Sequence, residues 1–153
     1  KMARISLNIP EKTHFICTLP VRISDINYGG HLSNDKLLSL LHEARVQFFG
    51  HMGYNETNVA GVATIMADVV IIYRNEGFYG DVLQIAMSAV DFSSAGFDLF
   101  YHITCPNREN IEIARAKTGI VFFDYNIRKV QRVSEVFKAQ FDPNFMPQKT
   151  IIA

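Results

Sequence analysis

One stretch with helical periodicity, followed only by strand-like segments, is the feature that most limits the folds open to this chain. From Asn34 or Asp35 to about Met52, apolar residues recur at steps of three and four, which is the spacing of a helix. A helix that is apolar around most of its circumference needs cover from other structure, and a sheet wrapped around it is the expected cover. The residues that recur at these steps are Leu37, Leu41, Ala44, Phe48 and Met52, and those that widen the apolar stripe are Leu38, Leu40, Val46 and Phe49.

Capping signals mark both ends of this predicted helix. Ser33 or Asn34 can cap its start, and we expect Asn34 to be the cap rather than a reacting group. Gly50 and Gly53 can end it, because glycine readily takes up the left-handed backbone conformation that closes many helices.

Strand-like segments lie on both sides of the helix. Residues 15–23 are rich in branched and aromatic side chains and predict a first strand, with Pro20 at an edge or a bulge. After the helix, residues 63–73 alternate in the period of a half-buried strand. The single apolar face predicted for that strand consists of Ala63, Ile65, Ala67, Val69, Ile71 and Tyr73. Three further strands are predicted over residues 82–92, 97–104 and 111–125.

This order of elements predicts the α+β class, with one long central helix wrapped by a curved antiparallel sheet of about five strands. No helical pattern separates the later strands, so a doubly wound parallel sheet is excluded. The length of 153 residues fits a single domain, with a core at about 12–138 and a loosely held tail at about 141–153. Long apolar edge strands favour pairing with another chain, so we expect a homodimer or a dimer of dimers.

Charge and cysteine content exclude several classes of function. Fifteen basic and fifteen acidic residues cancel, so no overall field would attract nucleic acid or an anionic membrane. Cys17 and Cys105 belong to no metal-ligand spacing, and neither a metal site, a cofactor nor a disulfide is expected. The sequence has no secretory signal pattern and no apolar stretch of membrane-spanning length, which predicts a cytoplasmic protein.

The segment between the first strand and the helix concentrates the chemistry of the chain. Residues 21–34 read VRISDINYGGHLSN and combine an acid, amides, an imidazole and paired glycines. Hydrolysis of an acyl compound needs a group that activates water or attacks directly, and donors that stabilise the oxyanion. Asp25 suits the first task. A helix N-terminus with unpaired N–H groups suits the second, and Gly29 and Gly30 let a substrate come close to the backbone.

These residues resemble the hotdog-fold acyl-CoA thioesterases of the 4-hydroxybenzoyl-CoA thioesterase type. The resemblance rests on Asp25-x-Asn27, on Gly30-His31-x-x-Asn34 and on a helix that carries Glu43-Ala44-Arg45. Tyr73-Arg74 and Gly80-Asp81-x-Leu83 extend it, so that it covers roughly residues 12–138. It implies a hotdog fold, hydrolysis of an acyl-CoA or acyl-carrier-protein thioester, and no cofactor.

The resemblance also implies roles for individual residues. The loop acid, Asp25, would be the nucleophile or general base, and the backbone amides of Gly30, His31 or Leu32 would polarise the carbonyl. Asn27 would orient Asp25 or bind the substrate. His31 is similar to the histidine in the Asp-x-Asn-x-His run of plant acyl-carrier-protein thioesterases, although two extra residues separate it here from Asn27.

Other charged residues have a structural and a functional interpretation. Some hotdog thioesterases carry their acid on the helix, which makes Glu43 a possible second acid, whereas a buried ion pair or strut is the favoured interpretation. Asp68 interrupts an apolar strand and is expected to be structural or to lie at a subunit interface. Candidates for contacts with the phosphates of coenzyme A are Arg74, Arg128, Lys129 and Arg132, although any one of them would more often be a solvated surface residue.

Two other functions stay open from the sequence. Hotdog hydratases and dehydratases use a loop similar to Asp-x-Asn-Pro-x-His, but here no proline follows Asn27 and His31 lies one position further on. An acyl-CoA-binding module without catalytic activity would use the same pocket for binding alone. The acyl group and its carrier are not specified by the sequence.

Overall fold

A curled antiparallel sheet with one long helix against its concave face forms the structure, a computed structural model that describes residues 4–142. The strands are β1 (Phe15–Pro20), β2 (Ala63–Tyr73), β3 (Val82–Val90), β4 (Gly96–Cys105), β5 (Ile111–Asp124) and the short β6 (Lys129–Val130). The helices are α1 (Asn34–His51) and α2 (Glu135–Ala139). The strand order β1-β3-β4-β5-β2, with β6 beside β5, confirms the predicted α+β fold. The single-domain organisation stays a prediction.

The core lies between α1 and the inner face of the sheet. Leu37, Leu41 and Phe48 of α1 are fully buried, each excluded from water by the strands beneath. Burial of one such side chain stabilises the fold by roughly 1.5–3 kcal/mol. The helix is not covered on every side, since Leu38 and Val46 are exposed. The predicted apolar stripe is therefore wider than the face that the sheet covers.

The ends of α1 differ in one respect from the prediction. Ser33 is the N-cap residue and has an extended backbone, while Asn34 is the first residue of the helix. The prediction that Asn34 caps the helix is therefore wrong by one residue, and the Ser33 side chain accepts no capping hydrogen bond. At the other end, Gly50 lies within the helix and Gly53 has a φ of +82°, the left-handed conformation expected after a helix.

Strand β2 contains a bulge that the predicted alternation missed. The pairing of β2 with β5 shifts between Met66 and Asp68. Oδ1 of Asp68 accepts hydrogen bonds from the Gly119 backbone and from Lys117 Nζ, each at 2.8 Å. After the bulge, Val69, Ile71 and Tyr73 pair with the buried residues Thr118, Ala116 and Ala114. Before it, Ala63 and Ile65 pair with Phe123 and Val121 on the other face of β5, so the single apolar face predicted for this strand is wrong. Asp68 has the structural contacts that were expected of it.

The elements after β5 include a second helix that the sequence analysis did not identify. The Ser134 side chain accepts a hydrogen bond from Phe137 N at the start of α2, and the Phe137 ring is fully buried. Phe141 packs on Phe48 and Phe92. The tail predicted to begin at residue 141 is therefore wrong at Phe141 itself, and its residues 143–153 lie outside the described part of the chain.

Candidate active site

The segment 21–34 forms a compact loop that delivers the chain to the start of α1. A short 3-10 turn, Ile23–Asp25, opens it. The Asn27 backbone N–H donates to His31 O at 3.0 Å, and Gly30, with a φ of +82°, turns the chain between them. Glycine takes up this positive φ without strain, which explains its place at the tip. The loop is therefore a closed turn with defined side-chain directions.

Asp25 is buried at the base of this loop. Its Oδ2 accepts a hydrogen bond from the Arg22 backbone N–H at 2.8 Å and lies 3.5 Å from Arg22 Nε. Its backbone carbonyl accepts from Ser33 N at 3.0 Å. These contacts tie both ends of the loop together, so Asp25 has a clear structural task in addition to any catalytic one.

The Asp25 carboxyl group borders a cleft between β1 and the middle of α1, which we name the Asp25 cleft. Its volume is about 500 Å³, and its lining residues are Leu19, Pro20, Arg22, Asp25, Ser39, Leu40 and Glu43. Glu43 is exposed there and accepts a hydrogen bond from Gln47 at 2.9 Å. The expectation of a buried ion pair at Glu43 is therefore wrong. The buried ion pair of α1 is formed instead by Arg45, with Glu56.

Cys17 on the neighbouring strand β1 is not a nucleophile at neutral pH. Burial, together with the negative charge of Glu43, raises the pKa of the Cys17 thiol to about 11. The thiolate is the reactive form of cysteine, so a thiol with this pKa remains protonated and inert.

His31 lies on the other side of the loop, beside Asn27. Its Nδ1 is 3.2 Å from Leu32 O. A carbonyl oxygen only accepts, so in the neutral ring Nδ1 carries the proton and Nε2 has a free lone pair. A β-carbon on Gly29 would lie 3.3 Å from His31 Nε2 and 3.1 Å from Asn27 Oδ1. The structure thus brings Asn27 and His31 together around Gly29, whereas the Asp25 carboxyl group contacts Arg22.

The three backbone amides predicted to bind an oxyanion differ in availability. Gly30 N donates to Asn27 O at 3.0 Å, and Leu32 N donates to Gly77 O at 2.7 Å. His31 N has no acceptor among residues 4–142, and the same is true of Asn34 N in the first turn of α1. The free N–H groups at this point are therefore those of His31 and Asn34, next to the positive end of the helix dipole.

These two residues border a second cleft, which we name the His31 cleft. Its volume is about 220 Å³, and its lining residues are His31, Leu32, Asn34, Leu37, Tyr73, Arg74, Asn75, Glu76, Gly77 and Ile113. Leu32, Leu37 and Ile113 give it apolar walls. Residues 75–77 were not predicted to contribute to a site. Their sequence, Asn75-Glu76-Gly77, does break the strand pattern of residues 63–73, and that break is the local signal for this part of the cleft.

Electrostatic interactions near this cleft involve Asp35 and Tyr73. A hydrogen bond from the Ser33 hydroxyl is the main cause that lowers the pKa of Asp35, with backbone N–H groups and Lys36 adding to it. Burial, and then the charge of Asp35, raises the pKa of Tyr73. At neutral pH Asp35 is therefore ionised, and the phenol of Tyr73, which lines the cleft, is protonated.

The predicted phosphate-binding residues fall into two groups. Arg74 lines the His31 cleft and lies 3.4 Å from Glu112 through its Nε atom. Arg128, Lys129 and Arg132 are exposed on the segment after β5, and none of them lines either cleft. Within residues 4–142, no group of three or more His, Cys, Asp or Glu side chains could hold a metal ion, and no helix there is long and apolar enough to span a membrane.

A family model matches most of the chain and covers both clefts. The model of the thioesterase-like superfamily matches residues 21–141. The chain belongs to the thioesterase-like superfamily. This membership confirms the predicted class of enzyme, a thioester hydrolase, and with it a thioester as the class of substrate. No curated protein sequence matches this thioesterase.

Solved structures of similar fold include several thioesterases. Slr0204, a 1,4-dihydroxy-2-naphthoyl-CoA thioesterase from Synechocystis, is 20% identical with a TM-score of 0.76, over 86% of this chain and 98% of that one. PA2801, a putative thioesterase from Pseudomonas aeruginosa, is 16% identical with a TM-score of 0.77, over 84% and 98%. YbaW, a probable thioesterase from Escherichia coli, is 20% identical with a TM-score of 0.66, over 82% and 94%. These similarities confirm the hotdog fold.

Proposed function

We propose that this thioesterase hydrolyses an acyl-CoA in the His31 cleft and releases a free acid and the coenzyme A thiol. One observation carries the proposal. His31 and Asn34, whose backbone N–H groups have no acceptor among residues 4–142, both line the same apolar-walled cleft. A thioester carbonyl bound there could accept hydrogen bonds from these N–H groups, and these bonds would become stronger as negative charge develops on its oxygen.

The reaction that this arrangement supports begins with water. His31 Nε2 accepts a proton from the water as its oxygen bonds to the carbonyl carbon of the thioester. The electron pair of the carbonyl moves to its oxygen, and the N–H groups of His31 and Asn34 stabilise that oxyanion. When the carbonyl re-forms, the carbon–sulfur bond breaks, and the imidazolium of His31 returns the proton to the departing thiolate.

The alternative to this arrangement is the predicted one, in which Asp25 is the nucleophile or general base. This alternative has a clear weakness. The residues of α1 at the Asp25 cleft are Ser39, Leu40 and Glu43, which lie in the middle of the helix, where backbone N–H groups are bonded within the helix. An oxyanion formed beside Asp25 would meet no free backbone N–H group of α1, and Arg22, which lines this cleft, lies 3.5 Å from Asp25 Oδ2 through its Nε atom. We therefore assign the reacting groups to the His31 cleft and Asp25 to the support of the loop.

The carrier portion of the substrate would extend from the cleft toward Arg74. Of the basic residues considered from the sequence, Arg74 alone lines the cleft and is within reach of a phosphate at its mouth. Leu32, Leu37 and Ile113 would enclose the acyl group. Asn27 would hold the loop turn beside His31, since its Oδ1 accepts from Gly29 N at 2.9 Å.

We propose further that two copies of the chain pair through β2. This strand is at one end of the sheet, pairs on one side with β5, and exposes Met66, Val69 and Tyr73. An open apolar edge of this kind favours pairing with a second copy. The Tyr73 side chain also lines the His31 cleft, so the partner would lie beside the substrate. Light scattering after gel filtration should give twice the mass of the chain, whereas Val69→Lys should give the mass of a monomer.

A hydrolysis screen tests the function. Short, long and aromatic acyl-CoAs are incubated with the protein, and release of free thiol is followed, with His31→Gln and Asp25→Asn in parallel. Thiol release that His31→Gln slows by a factor of about 10² to 10⁴ supports the proposal. Loss of the double bond of crotonyl-CoA without thiol release would indicate a hydratase instead. Tight binding without turnover on every thioester would indicate a module that only binds acyl-CoA.

A further inference from the structure

The segment that follows β2 is hydrogen-bonded to both ends of the loop formed by residues 21–34, which we name the site loop. Near the start of the loop, Val21 N donates to Asp81 O at 2.8 Å, and Gly80 N donates to Val21 O at 3.2 Å. Near its end, Leu32 N donates to Gly77 O at 2.7 Å. We name residues 75–81 the clamp segment, because the site loop is hydrogen-bonded to it at these two points.

Arg108 binds the clamp segment from the turn between β4 and β5. Its Nη2 donates to Glu76 O at 2.8 Å and lies 3.1 Å from Asp81 Oδ2. Its guanidinium carbon is 5.1 Å from the centre of the Phe78 ring. The Asp81 carboxylate also accepts from Phe78 N at 2.8 Å. One planar cation thus contacts a carbonyl, an aromatic face and a carboxylate within six consecutive residues.

These contacts lead by hydrogen bonds to the imidazole of His31. Arg108 binds the carbonyl of Glu76, and the next carbonyl, that of Gly77, accepts from Leu32 N. Leu32 O is in turn the acceptor for His31 Nδ1. A displacement of the clamp segment would therefore move Leu32 O. This carbonyl favours the neutral form of His31 that carries its proton on Nδ1 and leaves Nε2 free to act as a base.

Arg108 also has a hydrogen-bond donor that its described contacts leave unmet. The Nε atom of Arg108 is buried and has no hydrogen-bond partner among the described residues. An unmet buried donor is unfavourable for folding, and such departures are concentrated at functional sites. We infer that Arg108 is a positioning residue, which sets the orientation of His31 through the clamp segment. This inference rests on the proposed function only in taking His31 as the base.

The test compares Arg108→Met with Arg108→Lys and with a matched control. Methionine keeps an apolar stem, and lysine keeps the charge but has no planar fork. Arg115→Met is the control, because the Arg115 side chain is 29% exposed against 32% for Arg108 and also holds a carboxylate and a backbone carbonyl, those of Glu112 and Leu7. It lies outside both clefts.

Kinetics and nuclear magnetic resonance give separate readouts. With the acyl-CoA that wild type cleaves best, Arg108→Met should lower kcat about 10- to 100-fold with little change in KM, as expected when a base is misplaced. Arg108→Lys should recover only part of the loss, and Arg115→Met should match wild type. Nitrogen-15 shifts of histidine should show the proton on Nδ1 of His31 in wild type and a mixture of both forms in Arg108→Met.

The outcomes separate this inference from the proposed function. Folded Arg108→Met with wild-type kcat, or with an unchanged proton position on His31, would overturn the inference. If wild type cleaves no thioester, the proposed function fails, and the nitrogen-15 measurement still decides whether Arg108 positions His31. A loss of kcat in Arg115→Met equal to that in Arg108→Met would also overturn it, because a general loss of stability would then explain both.

Discussion

The His31 cleft and the Asp25 cleft lie on two sides of the same helix and differ in what they can do for a reaction. The His31 cleft meets α1 at its first turn, where backbone N–H groups are free. The Asp25 cleft meets α1 at Ser39, Leu40 and Glu43, where such groups are bonded within the helix, and it holds two carboxylates. Developing negative charge would meet free backbone N–H groups in the first, whereas in the second it would meet none from α1, and Arg22 there is paired with Asp25. The two clefts thus differ in catalytic potential because they meet α1 at different positions along its length, and not because one of them contains an acid.

Replacement of His31 should have the largest effect. His31→Gln keeps a polar side chain but removes the base, and general-base catalysis commonly contributes a factor of about 10² to 10⁴. We expect kcat for acyl-CoA hydrolysis to fall within that range, measured by thiol release. His51→Gln is the control, because His51 is exposed at the end of α1 and lines neither cleft. Wild-type kcat in a folded His31→Gln variant would move the reaction out of the His31 cleft.

Removal of a single backbone donor should have the second largest effect. Asn34→Pro deletes the N–H of the first helical residue, a position where proline suits a helix, after a Ser33 with an extended backbone. Loss of one oxyanion donor costs about 10²- to 10³-fold in kcat. Asn34→Ala removes only the side chain and should retain activity. Equal kcat values for the two variants, with circular dichroism showing α1 intact in both, would exclude this amide as a donor.

Asp25→Asn should affect stability more than activity. The buried carboxylate loses its charge opposite Arg22, so the free energy of unfolding in urea should fall by about 1–3 kcal/mol. We expect kcat to fall less than about tenfold, as for a residue that acts by supporting others. A loss of kcat as large as that of His31→Gln, in a protein that stays folded, would instead restore Asp25 as the nucleophile.

Glu43→Gln should have the smallest effect. Glu43 is exposed, and its described hydrogen bond is with Gln47 of the same helix. Surface substitutions of this kind usually change stability by less than about 0.5 kcal/mol. We expect kcat within about twofold of wild type. A large loss of kcat would show that the helix acid takes part and that the two clefts have been assigned the wrong way round.

The fold was predictable because its main signals are local. Helical periodicity placed α1 at almost its observed bounds, and strand-like composition, alternation and turn residues located the five long strands. The bulge in β2 was not predictable in this way. It depends on the contact of Asp68 with Lys117 and Gly119, which are distant in sequence and meet it only in the folded sheet. Helix α2 did carry a local signal, the Ser134 cap, which was overlooked.

The site was predicted at the level of its loop but not of its side-chain directions. The composition of residues 21–34 indicated the reaction class, which family membership confirms. The loop sequence does not show which backbone amides are free. Leu32 N, for example, donates to the carbonyl of Gly77, which belongs to the connection between β2 and β3. Nor did the spacing show that Asp25 and His31 line different clefts. Both facts depend on contacts between distant parts of the chain.

The position of Phe137 also bears on how this chain folds as it is synthesised. Its ring is fully buried and contacts the rings of Phe49, Tyr54, Phe92, Phe97, Phe122 and Phe141. A ribosome releases α1 and the five long strands before this residue, so the nascent barrel keeps an open apolar end until α2 emerges. That interval is when the chain is most exposed to aggregation. Ribosome-bound chains stalled with residue 133 outside the exit tunnel should therefore be cleaved by protease faster than chains that extend past residue 141.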